Sequence, residues 1–175
     1  PNDFPPLFNF LHGVDKAIIG EMNPELAMAA FEKADIIFCL DFNSLDRIDR
    51  LGLDVMASNA VKILIDHHID PEPFADHILS KTEASSTAEL VYDFLVDNKL
   101  EGYIDVNVAE ALYTGILMDT GSFRYATNPH VFEIAAALKR MGMDDYMLQI
   151  RLFNSMTEKQ LKLLGHCLAN RMELI

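Results

Sequence analysis

The chain has 175 residues, half of them apolar and 23% charged, which is typical of one globular domain. Its net charge of −13 disfavours sequence-independent binding to duplex DNA, because a surface of that sign repels phosphate backbones. A small phosphorylated substrate is not excluded, since a bound divalent cation can reverse the sign of a site.

The sequence opens irregularly and then predicts a helix. Prolines at positions 1, 5 and 6 disfavour regular structure, and a weak strand pattern follows at 17–19. Asn23 is placed as an N-cap and Pro24 as the first helical residue, which favours a helix over 23–33.

The next segment predicts a parallel βαβ unit. Residues 35–41 contain an uninterrupted apolar run, which indicates a strand buried on both faces. A helix is predicted over 44–56 and a second strand over 61–66. Strands joined through a helix in this way run parallel.

The second half of the sequence predicts helices only. Ser86 and Glu89 have the spacing of a capping box and open a helix that ends near residue 98. Residues 106–118 are apolar nearly all round, which predicts a buried helix. Further helices are predicted over 130–141, 145–153 and 158–172.

These patterns indicate an α/β fold with a parallel, Rossmann-like sheet flanked by helices and a helical C-terminal half. Only two strong strands are predicted, whereas sheets usually have about four to six. We therefore expect an incomplete sheet, and we expect the sequence, which starts without a methionine, to be a segment of a longer protein.

An aspartate follows each predicted strand. Asp41 and Asp66 come directly after apolar runs, and ligands of open α/β sheets bind outside the carboxyl ends of the strands. Taken alone, either residue could equally cap the next turn or helix.

Two adjacent histidines, His67 and His68, follow Asp66. Imidazole and carboxylate groups are both good ligands for manganese-like or zinc-like ions, and an acid beside a ligating histidine can fix its tautomer. The alternative is a polar loop with two solvated histidines, and that is how we interpret His77 in its polar segment.

Asp119 ends the apolar run of the predicted buried helix. A buried carboxylate needs a partner or a metal, because burying it unpaired is costly. Arg124, five residues later, could hold a phosphate with its planar guanidinium. The alternative is an Asp119–Arg124 salt bridge that closes the helix end.

Together these motifs resemble the DHH phosphoesterase family, named for the triplet seen here at 66–68. The order also matches, with Asp41 after a strand, then the triplet, then the segment 118–124. Residues 84–89 are similar to a family segment as well. Within the family, the sequence most resembles small bacterial oligoribonucleases that also dephosphorylate 3′-phosphoadenosine 5′-phosphate.

The resemblance implies a site with two divalent ions, usually Mn²⁺, with Mg²⁺ or another divalent ion possible. Asp41 would bridge both ions, and His67 and Asp119 would complete the shell of one of them. Such a pair activates a water and clamps the attacking and leaving oxygens of a phosphoester.

The same resemblance implies roles for the residues around the metals. His68 would act beside the substrate phosphate as a hydrogen-bond donor or proton relay. Asp66 would support the histidines from behind, and Arg124 would contact the substrate. The implied substrates are short single-stranded RNA, cut from the 3′ end, or the small nucleotide 3′-phosphoadenosine 5′-phosphate.

The sequence departs from the family at both ends. The first family motif, a histidine followed by an Asp-x-Asp pair, is absent before Asp41, and so is the C-terminal substrate domain. We expect residues 1–155 to be the catalytic domain without that motif, and 156–175 to be a connecting helix. Residues 1–175 alone are expected to be inactive.

Partners and location follow from composition. Apolar runs such as 36–40 are too short to cross a bilayer, so no membrane partner is expected. Cys39 and Cys167 match no metal or redox spacing, and two buried thiols would fit a cytoplasmic protein. A homodimer is possible.

Other functions stay open. Hydrolysis of cyclic dinucleotides, pyrophosphate or polyphosphate belongs to the same reaction class. A metal- or nucleotide-binding module without catalysis would explain the absent first motif. A flavodoxin-like signalling domain, with Asp41 as phosphate acceptor, would leave His67 and His68 unexplained.

Overall fold

The computed structural model describes residues 4–153 and 156–173. Its sheet has three parallel strands in the order β1-β2-β3, with bounds Ile36–Leu40, Val61–Asp66 and His77–Ser80. The α/β class and the parallel pairing of the two predicted strands are confirmed.

Seven α-helices are present in the described residues, and they confirm the helical second half. Short 3₁₀ turns lie at Pro6–Phe8, Val14–Lys16, Leu45–Ile48 and Glu101–Tyr103. The helices are α1 Pro24–Lys33, α2 Leu51–Ala57, α3 Thr87–Asp97, α4 Val106–Asp119, α5 Pro129–Arg140, α6 Asp145–Phe153 and α7 Glu158–Asn170.

The chain forms two compact units, one that ends at Met143 and one that begins at Asp144. In the first unit, strand β2 lies between two apolar clusters because its successive side chains point to opposite faces. Leu64 packs with Val55 of α2, and Ile65 packs with Leu90 of α3. This layering fixes the end of β2 between helices on both sides.

Strand β1 differs from its prediction. Its residues alternate between buried and exposed, and Ile36, Phe38 and Leu40 are 43–51% exposed. β1 is an edge strand of the described sheet, and the face that carries Ile37 and Cys39 is covered by an apolar cluster. On the other face, the Phe38 ring lies 5.7 Å from that of Phe94 but stays 47% exposed. Burial on both faces was therefore the wrong prediction for this strand.

Three local predictions are also corrected. Residues 17–19 form no strand, and β3 was not predicted, because its four residues give too short a pattern. His77, interpreted as part of a solvated loop, begins β3, although its side chain is exposed. The helix predicted over 44–56 is a 3₁₀ turn and α2, separated at Asp49, where φ is +50°.

The predicted capping box of α3 forms only in half. The Ser86 hydroxyl accepts a hydrogen bond from the Glu89 N–H, as expected, but the Glu89 carboxylate accepts from the Ser85 N–H instead. Of the two cysteines, Cys39 is buried as expected and Cys167 is exposed, contrary to expectation.

Some sequence-based expectations lie partly outside the described residues. These are the irregular first residues 1–3 and the expected domain boundary at 155. Within the described residues, none of the helices combines the length and the apolar character needed to span a membrane.

Candidate metal centre

The site lies at the carboxyl ends of β1 and β2. Leu40 pairs with Ile65, and the Asp41 N–H donates to the Ile65 carbonyl at 3.2 Å, which extends the ladder to Asp41. Asp41 has a φ of +66°, in the left-handed region that aspartate tolerates better than most residues. The turn of the chain at this point places the carboxylate at the strand end.

His67 lies between two carboxylates. Its Nε2 is 3.6 Å from Oδ1 of Asp41 and 3.9 Å from Oδ2 of Asp119, which is the last residue of α4. The His67 Nδ1 is 3.4 Å from the Ala84 carbonyl oxygen, which can only accept a hydrogen bond. A proton on Nδ1 can donate to this oxygen, and the Nε2 lone pair would then be available to a cation between the two carboxylates.

His68 is held by Asp66. The Asp66 side chain is fully buried, and its Oδ1 is 2.7 Å from the Nδ1 of His68. Its other oxygen accepts from the His68 backbone N–H at 3.2 Å. These two hydrogen bonds fix the His68 ring through Nδ1, and its other ring nitrogen, Nε2, takes no part in them.

The donor set fits a divalent cation. One ligand atom each from Asp41, His67 and His68 lies within 4.8 Å of the others. Asp119 is outside this group, and its Oδ2 is 3.9 Å from the Nε2 of His67. Neighbouring ligands of an ion with bonds of about 2.1 Å lie roughly 3.0–3.5 Å apart, so the His67 distances of 3.6 and 3.9 Å are only slightly wider. Nitrogen and carboxylate donors suit manganese and zinc.

The electrostatics also favour a cation. Burial raises the pKa of Asp119 above its usual value, the negative charge of Asp41 raises it further, and His67 and His68 act in the opposite direction. Asp119 also lies at the C-terminus of α4, where the helix dipole disfavours a carboxylate and favours a positive charge. A bound cation would relieve both effects.

Within residues 4–153 and 156–173, no hydrogen bond or salt bridge joins the Arg124 side chain to these residues. Its side chain is exposed, and its N–H donates to the carbonyl of Thr120, a fully buried residue that organises the loop after α4. Asp119 pairs with His67 there, so the alternative Asp119–Arg124 salt bridge is not what the described residues form.

The sequence analysis missed residues that hold the ligands. The Thr87 hydroxyl donates to Oδ1 of Asp41 at 2.8 Å, and Glu89 anchors the loop that carries Ala84. Both residues belong to the segment 84–89, whose family resemblance and helix-cap spacing are visible in the sequence. No local pattern, however, shows that the Thr87 hydroxyl reaches Asp41, 46 residues earlier at the end of a strand.

The sequence is similar to those of two curated proteins, among others. The chain is similar to the bifunctional oligoribonuclease and PAP phosphatase NrnA of Bacillus subtilis (strain 168), with 31% identity over 69% of this chain and 34% of that protein. It is similar to the cyclic-di-AMP phosphodiesterase PdeA of Listeria monocytogenes serotype 1/2a (strain 10403S), with 27% identity over 84% of this chain and 22% of that protein.

A solved structure also matches. An exopolyphosphatase-related protein from Bacteroides fragilis has a TM-score of 0.95 and 36% identity, over all of this chain and 52% of that one. The chain thus spans about half of that structure and smaller shares of the two curated relatives. Residues 7–116 match the DHH family, N-terminal domain, and the chain belongs to this family.

Proposed function

We propose that this chain carries the metal site of a phosphoester hydrolase that acts on short single-stranded oligoribonucleotides, from the 3′ end, and on 3′-phosphoadenosine 5′-phosphate. The observation that carries the proposal is the position of the His67 Nε2 between the carboxylates of Asp41 and Asp119. The similarity to an oligoribonuclease and PAP phosphatase supports this choice of substrates.

Asp41, His67 and Asp119 are the proposed ligands of Mn²⁺, with two ions in the intact protein and Mg²⁺ or another divalent ion as substitutes. Bound divalent ions would supply an activated water and neutralise the charge of the phosphate. Asp41 suits a bridging role, because its side chain is 54% exposed and a carboxylate offers two oxygens. Thr87 would orient that carboxylate through its hydroxyl.

His68 and Arg124 are the proposed contacts to the substrate. Asp66 accepts a hydrogen bond from the Nδ1 of His68, so the other ring nitrogen can donate to a phosphate oxygen or relay a proton to the leaving group. The exposed Arg124 side chain can reach outward to a second phosphate. Neither role requires a covalent intermediate on the enzyme.

The organisation of the whole protein is part of the proposal. We assign residues 1–155 to a catalytic domain without its first motif, and 156–175 to a connecting helix. The net charge of −13 is consistent with a small substrate rather than duplex DNA. A cytoplasmic location and a homodimer are likewise proposed.

Isothermal titration with Mn²⁺ tests the metal site. We expect His67→Ala to lower the affinity of the chain by at least about tenfold, because it removes a nitrogen ligand. His77→Ala is the matched control, since it removes an exposed imidazole outside the site. Equal Mn²⁺ affinity in the wild type and His67→Ala would overturn the proposal, and it is also what a signalling domain would give.

Turnover tests the substrate. With Mn²⁺, the full-length gene product should cut a ribonucleotide dimer and 3′-phosphoadenosine 5′-phosphate, and residues 1–175 alone should cut neither. Preferential hydrolysis of cyclic-di-AMP or polyphosphate would instead favour the activities named for two of its similar proteins. No hydrolysis of any of these by a full-length protein that binds Mn²⁺ would favour a non-catalytic module.

A further inference from the structure

A second buried carboxylate, Glu89, lies behind the proposed metal ligands. Glu89 is only 3% exposed, and both of its carboxylate oxygens accept hydrogen bonds. Oε2 accepts from the Ser85 N–H at 2.8 Å and from the Ser85 hydroxyl at 2.5 Å, and Oε1 accepts from Nδ2 of Asn128 at 3.1 Å. A buried carboxylate with such partners fixes the chain segments that supply them.

Asn128 is itself locked in one orientation. Its Oδ1 caps α5 by accepting from the Val131 N–H at 2.8 Å, so its Nδ2 must face Glu89. The same Nδ2 is 3.2 Å from the Glu83 carbonyl. The start of α5 is thereby tied to the segment that precedes α3.

This segment carries two contacts to the proposed ligands. The Ala84 carbonyl accepts from the His67 Nδ1, and the Thr87 hydroxyl donates to Asp41. Ser85, the residue that Glu89 holds through two hydrogen bonds, lies directly after Ala84 and two residues before Thr87. A shift of this segment would release the ring of His67 and the carboxylate of Asp41 together.

We propose that Glu89 and Asn128 are positioning residues that orient His67 and Asp41 for metal binding. The inference rests on the proposed function, in which those two residues are ligands. Neither Glu89 nor Asn128 is a proposed ligand; both act through the Ala84 carbonyl and the Thr87 hydroxyl. Partners that orient metal ligands commonly change metal affinity by about 10- to 100-fold when they are replaced.

Two substitutions test the network with little change of shape. In Glu89→Gln, the new amide N–H₂ must face the Ser85 N–H or the Asn128 Nδ2, both of which are donors, so a hydrogen bond is lost at either position. In Asn128→Asp, the α5 cap is kept, because aspartate is also a good N-cap, but a carboxylate oxygen now faces Glu89. The second variant therefore keeps the helix start while it breaks the contact.

Two measurements separate positioning from plain destabilisation. Isothermal titration gives the Mn²⁺ affinity, and two-bond ¹H–¹⁵N spectra of the metal-free protein give the environment of the His67 Nδ1. We expect an affinity about tenfold lower in both variants. We also expect the Nδ1 signal of His67 to move from its wild-type position, because its contact with the Ala84 carbonyl is weakened. Ile134→Val is the control, since it thins the buried face of α5 without altering a hydrogen bond.

The outcomes decide both proposals separately. If both variants bind Mn²⁺ as the wild type does and keep the wild-type Nδ1 signal of His67, Glu89 and Asn128 do not position the ligands. If Ile134→Val lowers the affinity as much at an equal loss of melting temperature, the effect is one of stability and the inference also fails. If the wild type does not bind Mn²⁺, the proposed function fails, and the Nδ1 signal of His67 alone decides the positioning.

Discussion

Gly115→Ala tests how closely α3 and α4 must approach to form the site. A Cβ added at Gly115 would lie 2.8 Å from the Cβ of Ala88, whereas carbon atoms in contact are about 3.5–4.0 Å apart. The helices would have to separate by roughly 0.7–1.2 Å to accept it. Thr87 neighbours Ala88, and Asp119 lies one turn beyond Gly115, so the separation would widen the metal site.

The expected magnitude follows from two opposing terms. Alanine is favoured over glycine inside a helix by about 1 kcal/mol, and overpacking of a close contact costs about 1–3 kcal/mol. The free energy of unfolding should therefore fall by roughly 0–2 kcal/mol, although helix propensity alone predicts a gain. The Mn²⁺ affinity should fall with it.

The double variant Ala88→Gly/Gly115→Ala isolates the contact. It moves the methyl group from α3 to α4, so the clash disappears and the helix propensities of the two helices nearly cancel. We expect its urea unfolding curve and its Mn²⁺ titration to return close to those of the wild type. A Gly115→Ala protein that is about 1 kcal/mol more stable and binds Mn²⁺ normally would refute the close-approach argument.

Two further predictions concern groups outside the site. Burial raises the pKa of the Cys39 thiol to about 11. At about pH 8, a disulfide reagent should therefore modify the exposed Cys167 first and reach Cys39 only after unfolding. Equal rates of modification at the two cysteines would contradict this. The hydrogen bond to Asp93 raises the pKa of His130, so its stabilisation is complete below the unfolded pKa of about 6.5 and is lost as pH rises through the folded pKa. His130→Gln should therefore lower the melting temperature more at about pH 5.5 than at about pH 8.5, and an equal loss at both would count against it.

Local patterns were sufficient for most of the elements. The helices over Pro24–Lys33 and Pro129–Arg140 begin with an asparagine and a proline, and continuous apolar runs identify β1 and β2. The register of the short β3 depends on its pairing with β2, which the sequence does not show. The exposure of alternate β1 residues likewise depends on what covers the face of the sheet, not on the composition of the strand.

The site was predictable only where its residues stand at the ends of apolar runs. Asp41, Asp66 and Asp119 do so, and the structure brings Asp41 and Asp119 to one imidazole. The contact of Thr87 with Asp41 results from the packing of α3 against the sheet, and periodicity does not encode it. Whether Arg124 reaches a substrate depends on an exposed side chain, and this stays a prediction.

Asp119→Asn tests whether the same carboxylate destabilises the metal-free protein and binds the metal. The folded pKa of Asp119 is raised, first by burial and then by Asp41, so between the unfolded and the folded pKa the native state binds more protons. Stability of the metal-free protein should therefore fall as pH rises through that window, and ionised Asp119 should be a cost at neutral pH. The asparagine variant removes this cost.

We accordingly expect two opposite effects from the one substitution. Without metal, Asp119→Asn should melt at a higher temperature than the wild type. With Mn²⁺ at a hundred times the wild-type Kd, the wild type should gain about 2.7 kcal/mol, and the variant should gain much less because it has lost a charged ligand. Asp97→Asn, which removes an exposed carboxylate from the C-terminus of α3, controls for the helix dipole and should leave the Mn²⁺ shift unchanged. A variant that melts lower without metal, or that keeps the full Mn²⁺ shift, would show that Asp119 is not held at this end of α4 for a cation.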